Sequence, residues 1–219
     1  MRRHWPLIRV LIASWLSYAV VLVLNFSKLP PLSSLAIFIA AIGFLSGWIY
    51  THFFEWGYHN YAMHINPSKI PSRPKFLKKI LIRIRETHIE HHTVFYGDHF
   101  RRHDLEAFKH VISPLAMFPV LFFVFHYSPL KLVLPARPLW IVFLVFFCGG
   151  LVSHYSTFES IHWFTHIDGT CLDPFFTKYF PGPLKHHLDH HEEVLRNFNF
   201  MPPYLGDRLG ATYRAPDNK

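Results

Sequence analysis

Cys148 and Cys171 are the chain's two cysteines, set beside four methionines. Their spacing matches no zinc or redox motif, and Cys148 lies in an apolar run. A disulfide framework and a cysteine-built metal site are therefore not expected, and a reducing compartment is permitted. Charge is also scarce: 16% of the residues are Asp, Glu, Lys or Arg, against about 25% in a soluble globular domain. Acidic residues number 14 against 22 basic ones, a net charge of +8. That excess does not point to nucleic acid, because the basic residues cluster beside apolar runs. The placement fits a cytoplasmic membrane surface and acidic partners. A solenoid repeat is missing, and so is a small-x-small cleavage site after the first apolar run, where Asn25, Phe26 and Lys28 follow. Arg2, Arg3 and that run are read as an uncleaved first membrane helix rather than a signal peptide.

What remains is apolar: 51% of the 219 residues are hydrophobic and 18% aromatic. Length favours one domain, and composition favours a membrane protein. Membrane helices are expected at about 5–24, 35–56, 111–127 and 139–160. Arg9, in the first, can snorkel to the headgroups, and Pro30 with Pro31 makes the turn that follows. The second run continues to Met63, beyond the ~20 residues that span a bilayer. Its last turns should project into water, carrying Glu55, His59 and His64. Gly43 and Gly47 form a small-xxx-small pair suited to close helix packing. Pro67, Pro71 and Pro74 end that helix. Residues 68–110 are basic and helical in pieces, and cytoplasmic by the positive-inside rule. The third run holds Pro114 and Pro119, so its hairpin with the fourth is full or partly re-entrant; the fourth stays apolar to His166. Residues 168–185, with Gly169, Pro174, Pro181, Gly182 and Pro183, read as a loop. The expected fold is one all-α, multi-pass membrane domain, residues 1–219. About four spanning helices carry a helical cap at 57–110 and 161–219.

Eighteen histidines are the anomaly. His88-x-x-His91-His92 and His187-x-x-His190-His191 repeat one pattern, and positions i, i+3 and i+4 share a helix face. Each copy follows a shorter pair, His59 with His64 and His162 with His166. The latter pair has i, i+4 spacing. His59 and His64 stand i, i+5, about 140° apart on an ideal helix, and need a local distortion, a helix end, or two metals lying on either side. Counting crossings from an inside N-terminus brings all ten to one side of the membrane. The two halves of the chain thus have like order: membrane hairpin, pair, triplet. Ten imidazoles are too many for one ion. They suit iron, copper, nickel or zinc, and about five for each of two metals leaves room for one exogenous ligand. A two-iron centre that binds O2 is the natural reading, and beside a membrane it suggests oxidation of a lipid C–H bond.

The order His59-x4-His64, His88-x2-His91-His92, His162-x3-His166, His187-x2-His190-His191 resembles the fatty acid hydroxylase and sterol desaturase superfamily, and is similar to the carotenoid hydroxylases. EWGYHNYAMH at 55–64 looks like its first histidine box and HHLDHHEEVLRNFNF its last. GDRLGAT at 206–212 resembles its C-terminal tail. The likeness covers roughly residues 40–212. Asn60 stands where Arg often follows the first histidine, and Gly206 where an aromatic is common before the tail Asp. The resemblance implies a four-helix anchor, a cytosol-facing dimetal site (two iron ions, with zinc a possible occupant) and O2-dependent oxidation. It fits a bacterial inner membrane or the endoplasmic reticulum.

The expected activity is hydroxylation of a fatty acyl, sphingolipid or sterol C–H bond. A desaturase or carotenoid hydroxylase would use the same site. A membrane metal transporter or metal-binding protein is the reading from another class, and a scaffold holding a structural zinc pair a further one. A transporter would place ligands near the bilayer midplane, whereas these gather at helix ends. No cytochrome or flavin motif stands out, so an external donor is expected, ferredoxin or cytochrome b5-like, drawn by the basic surface. Glu55, Asp189 and His154 are candidates to support the ligand histidines, the carboxylates by accepting their second N–H. Trp56, Trp163 and Phe164 are candidates for a substrate channel. His187 rather than its neighbour His186 completes the ligand spacing.

Overall fold

In the computed structural model the described residues are 5–64, 66–70, 72, 74–95, 137–169 and 171–215. Their regular structure is helical throughout: α1 (Trp5–Asn25), α2 (Ser34–Gly57), α3 (Lys75–Val94), α4 (Arg137–His166), α5 (Asp173–Tyr179), α6 (Pro181–Glu192) and α7 (Leu205–Leu209). A π-helical turn, Tyr58–Met63, continues α2. The third apolar run, 111–127, lies outside the described residues, as do His4, His99, His103, His110 and His126. The residues pack as two compact units. One holds the described residues of Met1–Thr51 and Val111–Thr157, the other those of His52–His110 and Phe158–Lys219.

Among the described residues three helices are long and apolar enough to cross a membrane: Leu7–Lys28, Ser34–Met63 and Pro138–His166, with mean hydropathies of 2.2, 1.7 and 1.8. Two of them run to 30 and 29 residues, which is more than a ~30 Å hydrocarbon layer needs. Leu16, Val20, Val23 and Leu24 on α1, and Leu35, Ile37, Phe38 and Leu45 on α2, are exposed. Rows of such side chains suit lipid rather than water. The polar groups in these helices are satisfied locally. Ser14 donates to the Val10 carbonyl, Asn25 to Val21 and Thr51 to Gly47, each at 2.8 Å. Such i−4 bonds let a hydroxyl or amide sit in an apolar helix at small cost.

In the first unit, Val21 of α1 packs with Trp140, Ile141, Leu144, Val145 and Cys148 of α4. Against α2, α4 comes into backbone contact. A Cβ at Gly43 or Gly47 would overlap the carbonyls of Phe143 or Phe147, and one at Gly150 the carbonyl of Phe44. The pair Gly43 and Gly47 is thus a packing seam, joined by a third glycine from α4.

In the second unit, residues 168–185 are more helical than expected. Asp173 and Pro174 open α5, and Pro181 opens α6. The prolines that suggest a loop occupy first-turn positions, where the missing N–H goes unused and the fixed φ fits a helix. α5 docks through Phe176, whose ring stacks on Phe164 of α4 at 4.0 Å. Pro74 sits as the extended N-cap of α3, and His166 ends α4 as expected.

Gly47→Ala or Gly150→Ala is expected to cost about 1–3 kcal/mol or more by overpacking. Gly57→Ala, where a Cβ meets nothing within 4 Å, should leave stability unchanged or slightly raised. Thermal unfolding in detergent measures both, and equal midpoints for the Gly47 and Gly57 variants would contradict the packing seam.

Candidate metal centre

Four helical segments of the second unit each deliver one histidine box. The π turn answers the i, i+5 problem. Its wider coil carries an i→i+5 hydrogen bond, here from the His64 N–H to the His59 carbonyl at 3.2 Å. His64 is thereby brought over His59, ring centroids 5.3 Å apart and 25° from parallel. α3 presents His88, His91 and His92, α4 ends with His162 and His166, and α6 presents His187, His190 and His191.

The ten imidazoles gather in two sets. Ligating atoms of His59, His64, His88, His92 and His190 lie within 4.8 Å of one another, and so do those of His91, His166, His187 and His191. His162 joins the second set, its Nε2 3.2 Å from His91 Nε2 and its ring 4.9 Å from His187. Each set of five takes a pair and two triplet members from one half of the chain. The middle histidine of each triplet crosses over: His190 joins the first set and His91 the second. The sets touch where His92 stacks on His191 at 4.1 Å.

The spacing within the sets suits a cation. His88 Nε2 lies 3.0 Å from the Nε2 atoms of His59, His64 and His92 alike. A ring nitrogen offers one proton or one lone pair, so three such contacts are not satisfied by hydrogen bonding alone. Donors at right angles around a metal with ~2.1 Å bonds stand about 3.0 Å apart. His190 Nε2 is buried with no hydrogen-bond partner among the described residues, while its Nδ1–H donates to the Arg196 carbonyl at 2.6 Å. That leaves its Nε2 lone pair facing the first set. The donors are all imidazole, a set that iron, copper, nickel and zinc accept.

Burial holds several of the imidazoles below their ordinary value, which favours the neutral form. His64 is held down to about 4, by burial and then by the Arg85 guanidinium. His88 and His187 are pushed well below the ordinary value by burial and then by neighbouring imidazoles, and His92 is lowered for the same reasons. His190 and His191 follow, burial again leading.

Besides His190, two more of the second nitrogens find backbone carbonyls. His59 Nδ1–H donates to Phe198 O at 2.9 Å, and His191 Nδ1–H to Phe95 O at 2.8 Å. Glu55, expected to accept from a histidine, accepts the Phe200 N–H at 2.6 Å. Asp189 is half-buried on α6, and its backbone carbonyl accepts the Glu193 N–H. His154, in the first unit, is buried with its ring 5.0 Å from Trp48.

Comparison of the chain with protein-family models, with curated proteins and with solved structures finds no match. A metal-binding role for the histidines therefore stands on their geometry.

Of the channel candidates, Trp56 is held by the tail. Its Nε1–H donates to Thr212 Oγ1 at 2.9 Å, and its indole fills the room that a Cβ at Gly206 or Gly210 would need. The glycine at 206 thus accompanies an aromatic arriving from α2. Trp163 is buried, and Phe164 is stacked on α5. His186 lies outside both sets, 4.0 Å from the Tyr204 ring, with Nε2 3.4 Å from Asp207 Oδ2.

Sequence reasoning passes over the segment 196–200 and its anchor, Asp207. The buried Asp207 carboxylate accepts the N–H groups of Phe198 and Asn199 and the Thr212 hydroxyl, at 2.7–2.8 Å. The GDRLGAT tail was the available signal. Nothing in it says which segment the Asp would hold.

The depressed histidines make metal-free stability fall with acid. In the unfolded chain they bind protons near pH 6.5 that the folded chain refuses. Stability is thus lost as pH drops through ~6.5 toward 4 for His64, and further for those held lower. Thermal unfolding of the metal-free protein between pH ~8 and ~4 should show a falling midpoint, and a flat profile would contradict it.

Proposed function

We propose that this chain is a membrane-bound di-iron oxygenase that hydroxylates a C–H bond of a lipid. The observation that carries the reading is the gathering of ten largely buried imidazoles into two sets of five, with three helices of membrane length among the described residues. In the overall reaction a lipid C–H, O2, two electrons and two protons give a lipid C–OH and water. Bound iron would supply the activation of O2, which organic side chains do not provide.

The protein's part is positioning and exclusion. The carbonyls of Phe198, Arg196 and Phe95 fix the Nδ1–H tautomer of His59, His190 and His191, directing Nε2 inward. Phe198 lies 5.4–5.7 Å from His59, His64 and His190. Phe200 lies 4.0 Å from His187 and 4.9 Å from His162, with Phe158 against it at 4.5 Å. These rings keep water from the imidazoles, which guards a reactive centre against side reactions. On α3 the exposed Lys75, Lys79 and Arg83 suit an acidic electron donor of the ferredoxin or cytochrome b5 kind. The cytosolic side and the choice among acyl, sphingoid and sterol substrates belong to this proposal.

His190→Ala and His91→Ala each remove a ligand from a different set. Both are expected to lose metal and to abolish the oxygenated product, read as added oxygen in the mass of lipid extracts from cells with and without the chain. Full product formation by protein stripped of metal would overturn the reading. Metal flux into vesicles without O2 consumption would replace it with transport.

A further inference from the structure

The two histidine sets are alike in composition and unlike in support. In the first set, His59 and His190 both rest on one short segment: Phe198 O accepts from His59 and Arg196 O from His190. In the second set, His191 rests instead on Phe95 O, at the end of α3. The 196–200 segment is not part of a helix. Asn197 is in the left-handed region at φ 57, which Asn tolerates better than most residues. Its N–H donates to Thr212 O, and its Oδ1 accepts the Arg214 N–H.

What holds the middle of the segment is Asp207. Oδ1 accepts the Phe198 N–H at 2.8 Å and the Thr212 hydroxyl at 2.7 Å, and Oδ2 accepts the Asn199 N–H at 2.7 Å. Asn199 reciprocates, accepting the Asp207 N–H at 3.1 Å and donating to the His52 carbonyl at 2.7 Å. Asp207 is fully buried. A buried carboxylate with three short donors is a rigid anchor, because moving any partner leaves an unpaired group in a dry interior. The Phe198 residue bridges the two: its N–H is tied to Asp207 and its C=O holds His59.

We propose that Asp207 is a positioning residue for one of the two metal sites, setting through the 196–200 segment the carbonyls that orient His59 and His190, whereas the segment meets the second set through the Phe200 ring against His187 and His162. This rests on the metal-binding reading proposed above. Outer partners that orient a ligand imidazole typically change metal affinity 10–100-fold when lost. Here that loss falls on one site of two.

The test uses Asp207→Asn, which keeps the shape and replaces one acceptor oxygen by an NH2 facing an N–H donor. Full-length protein in detergent is loaded with Fe2+ or Co2+ without O2 and titrated with a chelator, and bound metal is counted by elemental analysis. Wild type should hold two metals. The Asp207→Asn variant should keep one at unchanged affinity and release the other at roughly 10–100-fold lower chelator strength. The released metal should be the one missing from His59→Ala, not the one missing from His162→Ala. If both metals weaken together, or neither does, the positioning role is overturned, since general loosening of the fold would not choose between sites. Should the Asp207→Asn variant fail to accumulate, Asn199→Ala, which removes the reciprocal bonds but keeps the carboxylate, carries the same expectation and the same contrary outcomes. A wild-type chain that holds no metal at the histidines fails the metal reading itself, a result distinct from two metals with no selectivity.

Discussion

Everything in the second unit turns on the close approach of more ring nitrogens than hydrogen bonds between them can satisfy. Nε2–Nε2 distances of 2.8–3.2 Å link His59, His64, His88 and His92 in one set, and in the other join His91 to His162 and His187 to His166 and His191. Protonating such a set would place like charges side by side in a medium that solvates none of them. Neutral, the set presents several ring nitrogens to one point, an arrangement that could hold a cation. The surrounding structure buries most of these imidazoles and orients three of them through backbone carbonyls.

Orientation is supplied mainly by backbone. A carboxylate next to each ligand histidine would add negative charge to an already crowded interior. A carbonyl accepts the same Nδ1–H without net charge. The carboxylates that are present act one step further out: Glu55 on the Phe200 amide and Asp207 on the amides of Phe198 and Asn199. Asp207 thus fixes the Phe198–Asn199 peptide, whose carbonyl holds His59. Trp56 closes the arrangement by packing its indole against Gly206 and Gly210 and bonding to Thr212.

The two halves of the chain interlock at the centre. His190 crosses to the set built from His59, His64, His88 and His92, and His91 crosses to the set built from the other half. Neither half assembles five donors alone, so a metal bound in either set would tie the halves together. Such binding contributes folding free energy whenever the site is absent from the unfolded chain.

Much of this was legible in sequence because helices carry strong periodic signals. The apolar runs at 5–24, 35–56 and 139–160 correspond to helices within a few residues at their starts, and the i, i+3, i+4 triplets needed only a helix to share a face. The i, i+5 pair left a distortion, a helix end or two metals on either side open, and the structure has a distortion, the π turn Tyr58–Met63. Prolines between 168 and 185 misled, since Pro174 and Pro181 start helices as readily as they end them. The sequence by itself determined which histidines are present and which of them share a helical face, because these follow from residue type and local period. Only the tertiary structure decided which five histidines share a centre, that the carbonyls of Arg196, Phe198 and Phe95 hold three of them, and that Asp207 anchors the 196–200 segment. Those are contacts between residues such as His59 and Phe198, far apart in the chain, and no local period encodes them.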